Sequence, residues 1–122
     1  MTEKGHSYQD LVVWQQAMDL AVAVYLTTQK WPREEVYGLT SQSRRAATSV
    51  PANIAEGYGR EHRSSYLQFL RIAQGSLKEL ETHLLIADRT GIAATGSIPP
   101  VLASTESVWK LLRLLLRKLA VT

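Results

Sequence analysis

Apolar side chains recur every three or four residues along most of the chain, which is the spacing that places them on one face of an α-helix. No segment alternates apolar and polar residues as a half-buried β-strand does. Prolines and glycines divide the pattern into four parts, which predict helices over about 8–29, 35–58, 65–90 and 100–120. Four helices with short connections favour an all-α fold, an antiparallel up-down-up-down four-helix bundle, with residues 1–122 in a single domain.

Each predicted helix has an apolar face that is expected to point into the core of the bundle. The face of the fourth helix is the broadest, because Leu111, Leu114 and Leu116 widen it, and this breadth favours burial against a partner. Small residues around Gly75 would allow another helix to approach the third one. The predicted core faces are Leu11, Trp14, Met18, Ala21 and Tyr25 in the first helix; Leu39, Ala46, Val50 and Ile54 in the second; Tyr66, Leu70, Ala73, Leu77, Leu80, Leu84 and Ala87 in the third; and Val101, Val108, Leu112, Leu115 and Leu119 in the fourth.

Prolines and glycines predict where the helices end or bend. Pro32 stops the first helix, and Pro51 lies inside the second, where its ring and its missing N–H predict a kink. Gly57 and Gly59 are expected to end the second helix, since glycine tolerates the left-handed conformation of a helix C-terminus. Gly91 ends the third helix and begins the loop that follows it.

Two polar motifs flank the connection between the second and third helices. Asn53 and Glu56 lie among small apolar residues, and Glu56 precedes Arg60 by four residues, the favourable order for an ion pair on a helix. A catalytic carboxylate with an orienting amide is one interpretation of Asn53 and Glu56. The favoured interpretation is a structural polar motif that fixes the helix register, because one carboxylate without a matched base is not a catalytic set. Ser65, with Gln68 three residues later, predicts a capping box at the start of the third helix.

The charge of the chain is unevenly distributed, although its net value is only +3. Residues 39–78 carry six basic and two acidic side chains, and residues 107–122 carry four basic side chains and no acidic one. Residues 1–38 and 79–106 are net acidic. Such alternation is typical of a surface that binds a polyanion, and equally of oppositely charged faces on neighbouring subunits.

Two groups of basic residues are therefore candidates for contacts with the phosphates of RNA or DNA. The alternatives are a solvated helix face for the first group and salt bridges between helices or subunits for the second, with Glu56, Glu79 and Glu81 as partners. The candidate residues are Lys110, Arg113, Arg117 and Lys118 on the fourth helix, and Arg44, Arg45, Arg71 and Lys78 on the second and third.

The chain contains no recognisable catalytic or cofactor-binding motif, so we expect a protein that is not an enzyme and that needs no cofactor. His6, His62 and His83 are isolated and there is no cysteine, which argues against a metal site. No apolar run is long enough for a membrane span and the N-terminus does not resemble a signal peptide, so a cytoplasmic location is expected. Trp14, Trp31 and Trp109 could stack on bases, but packing in the core is the favoured role.

Several ordered segments of the chain resemble a known family. They are 8–14, the positions from Gly38 to Arg45, the motif Asn-Ile-Ala-Glu-Gly within 53–60, and Ala-x-Gly-Ser-x-x-Glu-Leu-Glu within 69–81. They resemble the proteins encoded by intervening sequences of bacterial 23S ribosomal RNA genes, also called the S23 type. The resemblance implies a non-enzymatic four-helix bundle that forms a homo-oligomer, specifically a pentamer.

A more distant resemblance is to the accessory protein of diversity-generating retroelements. That protein has a similar bundle, assembles as a basic pentameric barrel, and binds nucleic acid and a reverse transcriptase. The resemblance implies RNA or DNA as a partner, while the lower net charge of this chain leaves a protein partner as the alternative.

Overall fold

A computed structural model describes residues 7–121, and the isolated histidine His6 lies outside this range. Its four α-helices are α1 (Val12–Thr28), α2 (Leu39–Tyr58), α3 (Arg63–Arg89) and α4 (Ile98–Ala120). Two short 3-10 helices, Tyr8–Asp10 and Arg33–Glu35, precede α1 and α2, and there is no strand between residues 7 and 121. The predicted all-α fold class with four helices is therefore confirmed.

The four helices surround one apolar core. α2 packs against α1 and α3, while α4 packs against α3 and α1; within residues 7–121 no Cα atoms of the two diagonal pairs, α1 with α3 and α2 with α4, lie within 8 Å of each other. This arrangement is consistent with a four-helix bundle. Pro51 is buried inside α2, and the helix continues without interruption on both sides of it. The antiparallel order of the helices and the kink at Pro51 stay predictions.

The core face of α1 differs from the predicted one. Its buried apolar residues are Val13, Ala17, Leu20, Ala21 and Val24. The predicted face shares only Ala21 with this set, and it lies largely on the outside of the bundle: Met18 and Tyr25 are 39% and 42% exposed, and Leu11 and Trp14 are only partly buried. The prediction failed because α1 is apolar on two faces, and residue spacing alone does not say which one packs on α2 and α4.

The third helix follows its predicted face much more closely. Leu70, Ala73, Leu77, Leu80, Leu84 and Ala87 are all completely buried, and Tyr66 packs against them from the edge of the core. Most other positions of α3 are polar or charged, with Leu67, Phe69, Gly75, Ile72, Leu85 and Ile86 as the exceptions, so the predicted face is the most continuous apolar face of the helix.

The starts of the first and third helices differ from expectation. Leu11 has an extended backbone, which separates the first turn of 3-10 helix from α1. A capping box is present at Ser7, whose side chain accepts from the backbone N–H of Gln9. The capping box predicted at Ser65 is wrong, because α3 begins at Arg63 and Ser65 is already inside the helix.

Gly57 permits a close approach of α2 to α3 rather than a left-handed turn. Both Gly57 and Gly59 have ordinary negative φ angles, so the predicted left-handed role is wrong for them; Gly91, with φ of +80°, does adopt that conformation. A β-carbon at Gly57 would lie 2.8 Å from Cβ of Phe69 and 3.0 Å from Cδ1 of Tyr66. The glycine is therefore required by packing.

A polar bridge also joins α2 to α3. The hydroxyls of Ser49 and Ser76 share a hydrogen bond of 2.8 Å, and the side-chain amide of Asn53 donates to both Oγ and the carbonyl oxygen of Ser49, at 2.9 and 2.8 Å. Ser76 is 9% exposed, so the bridge lies at the edge of the core. Because each polar group has a partner only when the two serines face each other, the bridge favours one register of α2 on α3.

We predict that Gly57→Ala destabilises the protein by about 1–3 kcal/mol, because the new methyl group overlaps α3. The matched control is Gly59→Ala, where the nearest atoms to the new β-carbon are 3.7 Å away or more. We expect this control to be neutral or stabilising by up to about 1 kcal/mol, since it restricts the unfolded chain. Urea unfolding gives both values, and equal effects of the two substitutions would contradict the packing argument.

We further predict that Ser49→Ala and Ser76→Ala each cost about 1–3 kcal/mol, because each leaves a partly buried hydroxyl without its partner. The double variant should be less destabilised than the sum of the single ones, with a coupling energy of about 0.5–1.5 kcal/mol. Thr82→Ala, on the exposed side of α3, serves as the control. Strict additivity of the two serine substitutions would show that the bridge contributes nothing.

Candidate functional site

The basic residues near the end of α4 lie on one exposed surface. Lys110, Arg113 and Arg117, together with Leu114, line a shallow depression of about 270 Å³. Nζ of Lys110 is 3.9 Å from Oε2 of Glu106, between two exposed side chains. Arg113, Arg117 and Lys118 are exposed and form no ion pair with any residue in 7–121. α4 thus presents three cations whose hydrogen-bonding groups are free to bind an anion.

Arg44 has a structural position at the end of α1. Its Nε donates to Oγ1 of Thr28 at 2.8 Å, and its guanidinium group lies 4.5 Å from the centre of the Tyr25 ring. These contacts fasten α2 to the last turn of α1 and use one face and one edge of the guanidinium. The neighbouring Arg45 is exposed and has no ion pair within the described part of the chain.

Lys78 is occupied by neighbours on α3 and α4. Its Nζ lies 3.2 Å from Oε1 of Glu81 and 4.2 Å from the ring centre of Trp109. Glu81 also accepts a hydrogen bond from Oγ1 of Thr105, at 3.1 Å, so the pair belongs to a link between the two helices. Arg71 is exposed and lacks an ion pair within residues 7–121. The second basic group is therefore divided: Arg44 and Lys78 have structural partners, whereas Arg45 and Arg71 do not.

The Asn53 and Glu56 motif separates into two contacts. Asn53 belongs to the polar bridge between α2 and α3, as the structural interpretation predicts. Glu56 is outside the core and pairs with Arg60 at 2.8 Å, with the two side chains 54% and 47% exposed. The guanidinium of Arg60 lies 4.8 Å from the ring centre of Phe69. Asn53 and Glu56 therefore do not act as one unit, and the ion pair that the spacing of Glu56 and Arg60 favours is present at the surface.

The titratable residues in the described range are not arranged as a metal site. No three His, Asp or Glu side chains between residues 7 and 121 are grouped as a metal ion requires. His62 is exposed, while His83 is mostly buried, with Nε2 4.0 Å from Oε2 of Glu79 and no hydrogen-bond partner for Nδ1. Burial raises the pKa of the Tyr66 phenol, and the nearby Tyr58 raises it further, so Tyr66 is neutral at physiological pH.

Sequence reasoning missed the largest depression described on the surface, an apolar trough between α1 and α2. It has a volume of about 580 Å³, and its α1 wall includes Trp14, Met18, Val22, Tyr25 and Leu26. The signal was present in the sequence, since α1 contains Asp19 as its one charged residue in 17. A surface helix with so few charges has more apolar side chains than one core face can bury.

A second, polar pocket of about 520 Å³ lies beside the trough, where the end of α1 meets the first turns of α2. Arg44 and Arg45 both line it, and no Asp or Glu does. The three tryptophans have different environments: Trp31 is buried in the wall of this pocket, Trp14 lines the trough, and Trp109 packs against the core beneath Lys78.

Between residues 7 and 121, no helix is both long and apolar enough to span a bilayer.

Comparisons with known proteins agree with the architecture. A solved structure from Bacteroides thetaiotaomicron, a protein of unknown function from the S23 ribosomal protein family, superposes with a TM-score of 0.77. It is 23% identical in sequence, and the match covers 86% of this chain and 98% of that one. The likeness shows a shared fold. No curated protein sequence matches this chain.

The sequence itself matches a family model over residues 9–113, which include α1, α2, α3 and most of α4. The matched range contains the Ser49–Asn53–Ser76 bridge and the close approach at Gly57, so the features that join α2 to α3 lie within the family's region. The chain belongs to the family of 23S rRNA-intervening sequence proteins.

Proposed function

We propose that this protein is a non-enzymatic, oligomeric four-helix module that binds the phosphate backbone of nucleic acid through the basic face of α4. The observation that carries the proposal is the exposure of Arg113, Arg117 and Lys118 without an ion pair in residues 7–121, next to Lys110. From residue 107 onward the chain has no acidic side chain. Residues 1–122 are taken as a single domain in this proposal, and the cysteine-free composition fits a reducing, cytoplasmic location.

The arrangement of these cations suits phosphate binding without sequence recognition. Lys110, Arg113 and Arg117 follow one another at three and four residues, so they share one side of α4. A guanidinium group donates two parallel hydrogen bonds to phosphate oxygens, and each neutralised phosphate releases counterions. Backbone contacts of this kind position a protein on nucleic acid but do not read its bases.

Arg45 and Arg71 are secondary members of the proposed surface, because both are exposed and lack ion pairs within the described residues. Arg44 and Lys78 are left out of this surface, since Thr28 and Tyr25 hold Arg44 against the end of α1, and Lys78 is paired with Glu81 and covers the ring of Trp109.

The proposed oligomer is a pentamer, as the family resemblance implies. An outward stripe on α3 supports a subunit contact: Ile72 and Ile86 are 45% and 44% exposed, and Gly75 between them has nothing within 4 Å of where its β-carbon would be. A helix of a second copy could approach closely there. Five copies would carry about +15 in total, and a larger summed charge strengthens the attraction for a polyanion.

A protein-binding scaffold that does not bind nucleic acid is the second candidate. The apolar trough between α1 and α2 favours it, because exposed apolar patches mark sites of interaction. If this candidate is correct, substitutions on α4 should not change the measured binding of the protein.

We predict that the protein binds labelled duplex DNA and structured RNA with an affinity that falls steeply as salt is raised. Arg113→Gln with Arg117→Gln should weaken binding and make the slope of log affinity against log salt shallower by about 1–2, because each lost phosphate contact removes about 0.7–0.9. Fluorescence anisotropy at several salt concentrations measures both quantities.

The matched control is Lys30→Gln with Arg33→Gln, which removes the same charge from two exposed cations away from α4. It should retain the wild-type slope. An equal loss of affinity in both double variants would show that net charge, and not the position of the cations on α4, determines binding. Absence of binding to nucleic acid at low salt would reject the proposal.

We predict that Ile72→Glu lowers the mass of the particle in solution, because a charge in the α3 stripe disfavours burial against a second copy. Val12→Glu, at a valine on α1 that is 57% exposed and outside the stripe, is the control and should keep the wild-type mass. Light scattering coupled to gel filtration gives the masses. A monomeric wild-type protein at micromolar concentration would contradict the oligomer.

A further inference from the structure

The apolar trough and the polar pocket adjoin one another between α1 and α2, because Tyr25 and Thr48 line both of them. The guanidinium of Arg44 is fixed over the ring of Tyr25 at 4.5 Å, which places a positive charge at this junction. The two adjoining depressions therefore place an apolar surface next to a cationic one.

The apolar part is suited to a hydrocarbon body. No charged side chain lines it, its floor includes the small residues Ala52 and Ala55 of α2, and its wall is formed by the larger residues of α1. From Trp14 to Tyr25 it extends about 16 Å along α1, at 1.5 Å per residue. Tyr8 and Trp14 pack edge to face at 5.2 Å and both line the trough at the end away from Arg44.

The cationic part is suited to an oxyanion. Arg45 is exposed and has no ion pair within residues 7–121. Arg44 uses Nε for Thr28 and Nη2 for the carbonyl oxygen of Tyr25, at 3.4 Å, so Nη1 of Arg44 and the guanidinium group of Arg45 remain as donors. Trp31 and Thr40 also line this pocket, and each has a buried polar atom, Nε1 and Oγ1 respectively, without a hydrogen-bond partner. These two atoms have almost no accessible surface, so the charged donors of this pocket are those of Arg44 and Arg45.

We infer that the trough and the adjoining polar pocket together form a binding site for a small anionic amphiphile. Its hydrocarbon body lies in the trough, and its carboxylate or similar oxyanion lies at Arg44 and Arg45. Charge argues against one alternative occupant, the exposed Leu114 of a second copy. Leu114, at 58%, is the most exposed leucine in residues 7–121, and Lys110, Arg113 and Arg117 surround it. These cations would meet Arg44 and Arg45, so the occupant carries the opposite charge.

The site is independent of the proposed nucleic-acid surface. It lies at the junction of α1 and α2, whereas that surface is on the last turns of α4, and Arg45 is the one residue that belongs to both proposals. Loss of RNA binding in α4 variants therefore leaves this inference unaffected.

The test uses decanoate as the probe, titrated into the full chain by calorimetry at constant ionic strength. Decyltrimethylammonium has a hydrocarbon chain one carbon longer and the opposite charge, and hexanoate has the same carboxylate and a shorter chain. We expect saturable binding of decanoate, at least tenfold weaker binding of hexanoate, and no saturable binding of the cation. Equal binding of the anion and the cation would overturn the inference.

Two single variants locate the two ends of the site. Arg45→Gln should weaken decanoate binding about tenfold, because it removes a charge-assisted hydrogen bond. Its control, Arg33→Gln, removes an exposed charge outside the pocket and should bind as the wild type does. Val22→Gln should weaken binding similarly by placing an amide in the trough, while Val12→Gln, outside the trough, should not.

All four variants replace exposed side chains, so each is expected to fold, and circular dichroism confirms it. Wild-type affinity in Arg45→Gln or in Val22→Gln would reject the site. A change of particle mass in Val22→Gln would also reject it, since a second copy would then cover the trough. Unchanged decanoate binding in the α4 double variant Arg113→Gln with Arg117→Gln would support a site separate from the nucleic-acid surface.

Discussion

The close packing of α2 on α3 is the constraint on which the rest of the bundle depends. At Gly57 the two helices approach so closely that a single methyl group would collide with Phe69. About two turns earlier in α2, the Ser49–Asn53–Ser76 bridge fixes how far one helix has slid along the other. The apolar contact sets the distance and the polar contact sets the register, and together they orient the faces on which α1 and α4 pack.

Polar contacts at the edges of the core attach the other two helices to this pair. Arg44 joins α2 to the last turn of α1 through Thr28, and Glu81 joins α3 to α4 through Thr105 while it pairs with Lys78. Basic residues that look equivalent in the sequence thus have different roles. Arg44 and Lys78, near helix–helix boundaries, bind other side chains of the protein, whereas Arg113 and Arg117, on the last turns of α4, are exposed to solvent.

The sequence predicts α3 well and α1 poorly, for a physical reason. In α3 the residues between Leu70 and Ala87 that do not belong to the apolar stripe are mostly polar, so the pattern has one solution. In α1 twelve of the 17 residues are apolar, and they form two faces. The predicted face was the one with the larger side chains, Trp14, Met18 and Tyr25. That face became the trough. Gly57 and Arg44 were misassigned because their roles depend on neighbours from another helix, which local spacing does not contain.

The two apolar faces of α1 also mean that this helix has two ways to bury a hydrophobic surface. Successive residues of an α-helix are about 100° apart around its axis. A rotation of α1 by this angle would turn Trp14, Met18 and Tyr25 toward the core in place of Val13, Ala17 and Val24. The hydrophobic effect alone distinguishes weakly between the two orientations, since it is not directional. Side-chain volume opposes the rotated state, and so does the hydrogen bond from Arg44 to Thr28, which exists in one orientation only. Arg44 therefore acts as a selector between alternative packings, and the uniqueness of the native state rests partly on a surface arginine.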